Sequence, residues 1–180
     1  EEKYKLEQST KESNGTDIII YLNEDNHEFA EEGRVKFLLE KYSQYINFPL
    51  NLISESGEVN RINDSEALWL KPKRSIKDEE YNDFYKFTTF DQEDPLFWVH
   101  NKVEGKSEYT NLLYVPSKPP FDLWNRESPR GVKLYIQRVF IMDDASHFLP
   151  LYLRFVRGII DTSDLPLNVS REILQEHHLV

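Results

Sequence analysis

Three apolar runs in the second half of the chain constrain the fold more than any other sequence feature. Residues 96–100, 109–115 and 132–142 are rich in β-branched and aromatic side chains, which predicts a strand in each of them. Residues 16–22, which read TDIIIYL, predict a further strand near the beginning of the chain. A chain with these runs is expected to form a β-sheet whose apolar surface is buried by other segments.

Helical periodicity supplies the cover. Residues 28–47 carry apolar side chains at three- and four-residue steps, which predicts an amphipathic helix. Asp78 is a good N-cap before DEEYNDFYKF, a second helix with Tyr81 and Tyr85 on its inner face. A third helix is predicted over residues 146–160. Strands interleaved with helices predict an α/β (α+β) fold.

Composition narrows the function classes. The chain has 180 residues and a net charge of −10, which argues against a fold-wide nucleic-acid surface. It has no cysteine, so disulfides and thiolate metal sites are excluded. No apolar run approaches the ~20 residues of a membrane helix and no secretory signal opens the sequence, which predicts a cytoplasmic chain without membrane contact. The abrupt beginning and end predict a fragment of a longer protein.

Residues 161–176, DTSDLPLNVSREILQE, form the strongest candidate site. Ser170 is a good N-cap, so Arg171 lies in the first turn of a predicted helix and Gln175 lies one turn later on the same face. A guanidinium and a carboxamide at a helix start suit a phosphate-like anion. From the spacing alone, a capped surface helix with a solvated arginine is the more common explanation.

Two further stretches allow two interpretations each. Residues 71–77, KPKRSIK, are basic and could contact phosphate, although such a run is more often a solvated loop. The Pro-rich segment after residue 115 carries Phe121, Leu123 and Trp124. These side chains either pack into the core or, together with Trp69, form an exposed patch for another protein.

Metal binding is not predicted. Of the five histidines only His177 and His178 are adjacent, and helical neighbours point about 100° apart. Glu172 and Glu176 could add oxygen ligands, but the usual ligand spacing is missing.

A self-contained hydrolase is a weaker hypothesis. Asp143, Asp144 and His147 fall close together and could form an acid–base pair. Two aspartates before a predicted helix also serve as its cap and favour its dipole. No glycine-rich phosphate loop or nucleophile elbow accompanies them.

Three long ungapped segments resemble the bacterial branch of the ninety-kilodalton heat-shock chaperone family. They are DPLFWVHNKVEGKSEYTNLLYVPSKPPFDLW, GVKLYIQRVFIMDD and LPLYLRFVRGIIDTSDLPLNVSREILQE. The segments from GTDIIIYL to KYSQYINFPL also fit, so the resemblance covers nearly the whole chain. Signatures of this length are far more specific than short motifs.

The resemblance implies a homodimeric, ATP-driven chaperone of several domains. It assigns residues 1–53 to the end of the N-terminal ATPase domain, residues 54–65 to a short linker, and residues 66–180 to the first αβα part of the middle domain. The ATP pocket would lie upstream. We therefore expect ATP with Mg²⁺ in the intact protein, no cofactor in this segment, and no ATPase activity of the segment alone.

The resemblance also assigns residue roles. Arg171 would reach the γ-phosphate of ATP when the domains close, with Gln175 assisting and Asn168 shaping the loop. Trp69 and the Phe121, Leu123 and Trp124 loop match surfaces that bind unfolded client proteins. The expected partners are therefore clients, the chain's own N-terminal ATPase domain and a second copy. A protein-docking module without catalytic role is the alternative.

Overall fold

The computed structural model describes residues 7–8, 10–63, 66–105, 108–120, 123, 131–143 and 149–163. Within these ranges two α-helices and seven strands form the regular structure. The helices are α1 (Glu32–Ser43) and α2 (Asp78–Thr89). The strands are β1 (Asn51–Ile53), β2 (Val59–Arg61), β3 (Phe97–Val103), β4 (Tyr109–Val115), β5 (Val132–Ile136), β6 (Val139–Met142) and β7 (Arg157–Thr162).

Five of the strands form one mixed sheet in the order β3-β4-β7-β5-β6. The pairs β3/β4, β4/β7 and β5/β6 are antiparallel, whereas β5 and β7 run parallel. The two remaining strands, β1 and β2, form a separate antiparallel hairpin. The α/β prediction is therefore confirmed.

The five-stranded sheet carries one hydrophobic cluster on each face, because neighbouring side chains of a strand point to opposite faces. An aromatic-rich cluster lies under α2 and the end of α1. An aliphatic cluster fills the other face, against residues 149–155. The helical layer that an αβα arrangement requires on this second face is not seen among the described residues, where a 3₁₀ turn, Leu151–Leu153, lies instead.

Both described helices were predicted. Helix α1 lies within the predicted residues 28–47, behind a 3₁₀ segment, Glu24–Ala30. Helix α2 begins at Asp78, with Lys77 as its N-cap, and buries Tyr81 and Tyr85 as its periodicity indicates. It ends at Thr89, and its C-cap, Phe90, has a left-handed backbone with φ 60°.

The helix predicted over residues 146–160 is wrong. Arg157–Thr162 is a strand, and it lies between β4 and β5 in the sheet. An apolar run that is buried on both faces fits helical and strand spacing alike, so periodicity alone does not separate them. Gly158 adopts φ 133°, which no helix allows.

Three other predictions need correction. The run 132–142 is two strands, because Gln137 and Arg138 make a tight turn between β5 and β6. The predicted linker 54–65 contains β2, which pairs with β1. Residues 16–22 form no strand, and Ile18, Ile20 and Tyr21 are 75% exposed or more, because none of the described strands pairs with them.

Candidate functional site

The candidate site is the carboxyl end of β7, from which the segment carrying Arg171 continues. Because β5 and β7 are parallel, the turn after β5 meets the end of β7 at one edge of the sheet. The Gln137 amide donates to the Thr162 carbonyl at 3.0 Å. On the other side, the Ser163 amide donates to the Glu108 carbonyl at 3.2 Å. The end of β7 is thus held from both neighbouring strands.

A buried polar cluster lies directly beneath this edge. The indole Nε1–H of Trp69 donates to Oδ2 of Asp161 at 2.8 Å. The backbone amide of Arg138 donates to the other oxygen, Oδ1, at 3.2 Å. Asp161 is 6% exposed and Trp69 is 1% exposed. One carboxylate therefore links the β5–β6 turn, the 3₁₀ turn Leu68–Leu70 and β7.

Burial sets the electrostatics of Asp161. Removal from water raises the pKa of this carboxyl, and the bonds from Trp69 and from the Arg138 amide oppose that rise only in part. The cluster therefore costs the folded protein some stability in exchange for a defined geometry. The Arg138 guanidinium points elsewhere, donating to Oδ1 of Asn47 at 2.8 Å.

The turn between β5 and β6 explains how the Arg138 amide reaches Asp161. Gln137 and Arg138 have φ values of 48° and 68°, so both adopt the left-handed conformation of a type I′ hairpin turn. Neither residue is glycine or asparagine, the usual signals for this turn. The usual sequence signals therefore do not predict this turn, and its strained backbone lies beside the candidate site.

Trp69 is a core residue, which corrects its predicted place on a client-binding surface. Its ring lies 4.7 Å from that of Tyr45, 5.9 Å from that of Phe84 and 5.3 Å from that of Tyr135. An aromatic side chain beside a polar linker is ambiguous in sequence. The tertiary contacts decide it, because only a buried indole finds three aromatic partners and a buried acceptor.

His100 fixes the backbone of Trp69. Its Nε2 lies 2.8 Å from the Trp69 carbonyl, which can only accept, so Nε2 carries the proton. Its Nδ1 then accepts from the Tyr81 hydroxyl at 2.7 Å. Burial lowers the pKa of His100, which keeps the ring neutral. Side chain and backbone of Trp69 are thus both held, and no motif in the sequence predicts this.

Of the other predicted site residues, the structure describes only Leu123 and Asp143, and neither contributes to this cluster. Leu123 is half-buried, and its amide donates to the Pro120 carbonyl at 3.0 Å. Asp143 is exposed after β6. The remaining candidates lie outside the described residues: Phe121, Trp124, Asp144, His147, Asn168, Arg171, Glu172, Gln175, Glu176, His177 and His178.

The basic run 71–77 behaves as a solvated segment. Lys73–Ser75 is a 3₁₀ turn with exposed side chains. Lys71 pairs with Glu66 at 2.7 Å and with Glu80 at 3.7 Å, so one of its cations is already compensated. No cluster of three or more histidine and carboxylate side chains that could hold a metal occurs within the described residues. In the same part of the chain, no helix is long and apolar enough to cross a membrane.

Comparison with known proteins gives the family. The model of the family described as Hsp90 protein matches residues 54–180. The chain belongs to the Hsp90 family. The resemblance of the three long segments is therefore confirmed.

Three bacterial proteins are similar to the chain along nearly its whole length. The chain is 52% identical to Chaperone protein HtpG of Pseudoalteromonas translucida over 98% of its length. It is 50% identical to the protein of the same name from Coxiella burnetii and 52% identical to that from Vibrio cholerae, over 100% and 99% of its length. The chain spans 30% of the length of each of these relatives.

Proposed function

We propose that this chain is a segment of an ATP-dependent molecular chaperone that assists protein folding. Membership of the Hsp90 family supports the proposal, as do relatives named chaperones with about half of their matched residues identical. The observation that carries the catalytic part is the fixed end of β7, since the motif DLPLNVSREILQE begins one residue after Ser163. The intact protein would work in the cytoplasm as a homodimer.

Arg171 would supply the positive charge for ATP hydrolysis. A planar guanidinium stabilises the charge that develops on the transferred phosphoryl group, and it does so most in the closed, reacting state. Gln175 would assist on the same helix face, and Asn168 would shape the preceding loop. ATP with Mg²⁺ is the substrate, held by the N-terminal ATPase domain of the intact protein.

Replacement of Arg171 in the intact protein tests this role. We expect Arg171→Ala to lower kcat for ATP hydrolysis by about 10³-fold, the order seen for arginine fingers, with a small change in KM. Arg171→Lys should restore only part of the rate, because an ammonium lacks the bidentate geometry. Arg74→Ala, which removes an exposed guanidinium from the 3₁₀ turn Lys73–Ser75, is the matched control and should leave kcat unchanged. Full turnover by Arg171→Ala would exclude the catalytic role.

Client binding would use the loop that carries Phe121, Leu123 and Trp124. Its aromatic residues in a Pro-rich connection support this, whereas buried Trp69 no longer belongs to the surface. In the intact protein, Trp124→Ala should weaken binding of an unfolded client. Tyr152→Ala, which removes a 75% exposed aromatic side chain from the turn Leu151–Leu153, serves as control. Loss of client binding in Trp124→Ala combined with full turnover in Arg171→Ala would favour the docking module.

A further inference from the structure

We propose that Trp69 and Asp161 are positioning residues for ATP hydrolysis, which hold the end of β7, from which the Arg171 segment continues. The inference rests on the proposed role of Arg171 and concerns how its segment is oriented. Neither residue would contact the nucleotide. Each would act through the chain that continues after Ser163.

The geometry points to orientation because every bond in the cluster restrains the same short stretch. Asp161 receives the Trp69 indole at 2.8 Å and the Arg138 amide at 3.2 Å, so its side chain cannot rotate. The next residue, Thr162, accepts from the Gln137 amide at 3.0 Å, and its hydroxyl donates to the Glu108 carbonyl at 3.1 Å. Position and direction of the strand end are therefore both specified.

The cluster is also an expensive way to fill this space. Trp69 is surrounded by aromatic rings and 1% exposed, a setting in which an apolar partner would pack without desolvating a carboxylate. Burial of the Asp161 carboxylate is unfavourable because it removes the charge from water. It provides directional hydrogen bonds, which apolar packing would not. A strand end that supports a catalytic segment needs directional bonds, since a displacement of about 1 Å can slow a reaction by ~100-fold.

Trp69 is itself rigidly supported, so the restraint reaches into the core. His100 donates to its carbonyl at 2.8 Å, and the Tyr81 hydroxyl holds His100 at 2.7 Å. Tyr81 belongs to α2, which links the edge of the sheet to the helix that covers it. Loss of the indole N–H should therefore remove one restraint on the end of β7 and leave the bonds from the Gln137 and Ser163 amides in place.

The test is Trp69→Phe in the intact protein, with ATP hydrolysis measured under saturating and subsaturating ATP. Phenylalanine keeps an aromatic ring among Tyr45, Tyr135 and Phe84 but removes the donor to Asp161. We expect kcat to fall by about tenfold with KM for ATP unchanged, because the segment is misplaced only in the reacting state. The matched control is Tyr85→Phe, which removes another core donor to an aspartate, from the Tyr85 hydroxyl to Asp91 at 2.7 Å. It should lower the unfolding temperature similarly and leave kcat unchanged.

A double variant separates this inference from the role of Arg171. If Trp69 acts through Arg171, Trp69→Phe should slow turnover in the parent protein but not in the Arg171→Ala background. Equal slowing in both backgrounds, or equal kcat losses in Trp69→Phe and Tyr85→Phe, would overturn the positioning role while leaving Arg171 catalytic. If Arg171→Ala turns over normally, the proposed function itself fails.

A second variant covers the case in which Trp69→Phe does not fold. In Asp161→Asn the side chain keeps its volume, but one oxygen becomes an NH₂ group, which only donates, so one of the two donors loses its acceptor. The same fall in kcat at unchanged KM is expected, again absent from the Arg171→Ala background. A folded Asp161→Asn protein with normal kcat would contradict the proposal.

Discussion

The two faces of the sheet are built on different principles. The face under α2 holds aromatic rings joined by directional bonds, such as those from Trp69 to Asp161 and from Tyr114 to the Tyr81 carbonyl. The opposite face holds Val132, Leu134 and Ile136 in a buried aliphatic cluster, with Phe155 as its aromatic neighbour. Aliphatic packing gives stability without direction, whereas the polar aromatic face accepts a cost in desolvation and gains defined geometry. The candidate site lies at the end of the polar aromatic face.

The largest loss of stability is expected at Gly158, in the central strand between the two faces. Gly158 has φ 133°, and a Cβ there would lie 2.1 Å from the Leu112 carbonyl oxygen in the centre of the sheet. That oxygen is backbone and cannot move without breaking the β4/β7 pairing. Gly158→Ala should therefore lower the free energy of unfolding by about 4 kcal/mol or more. Urea denaturation measures it, and a loss below about 1 kcal/mol would show that β7 can shift.

The next effect probes the aliphatic face alone. Ile136 is fully buried among aliphatic side chains, so Ile136→Ala leaves a cavity that its neighbours fill only in part. We expect a loss of about 3 kcal/mol in the free energy of unfolding. Because Ile136 makes none of the directional bonds, its replacement should leave unchanged the kcat of the ATP hydrolysis that we propose for the intact protein. A fall in kcat as large as that in Trp69→Phe would erase the distinction between the faces.

A smaller loss is expected for one bond of the aromatic face. The buried Tyr114 hydroxyl donates to the Tyr81 carbonyl at 3.0 Å. Tyr114→Phe keeps the ring and removes the bond, which should cost about 1 kcal/mol in urea denaturation. A loss equal to that of Ile136→Ala would mean that the aromatic ring itself had moved.

The smallest effect is a pH dependence that belongs only to the aromatic face. Burial lowers the pKa of His100 below its usual 6.5, so the unfolded chain takes up a proton first as the pH falls. The contribution of neutral His100 to the free energy of unfolding is then complete above pH 6.5. It declines as the pH falls from 6.5 to the lowered pKa. The decline should be modest, because a protonated ring can still donate to both Trp69 and Tyr81. Urea midpoints at several pH values check it, and His100→Gln should flatten the slope in this range.

Local patterns predicted much of the fold. Helix α2 followed from a clear apolar stripe, although its N-cap is Lys77 and not the predicted Asp78. Strands β3 and β4 followed from short β-rich runs bounded by turn residues. The strand β7 was missed because an apolar run buried on both faces has no alternation to distinguish it from a helix. The β5–β6 turn was missed because Gln137 and Arg138 carry none of the usual signals of a left-handed turn.

The candidate site divides in the same way. Arg171, Gln175 and Asn168 came from a motif and a family resemblance, both of which are properties of contiguous sequence. The pairing of Trp69 with Asp161 joins residues that are far apart in the chain, and nothing local to either one predicts it. The placement of Trp69 on a surface was wrong for this reason, since exposure depends on what the rest of the chain brings near.

By itself, the sequence determined the family and the α/β class. These depend on residue type and short spacing, which survive without knowledge of distant contacts. Only the tertiary structure decided that β7 is a central strand and that a buried carboxylate ties its end to an indole. The physical reason is that burial and hydrogen-bond partners are set by segments far apart in the chain, and both Trp69 and Asp161 acquire their roles from them.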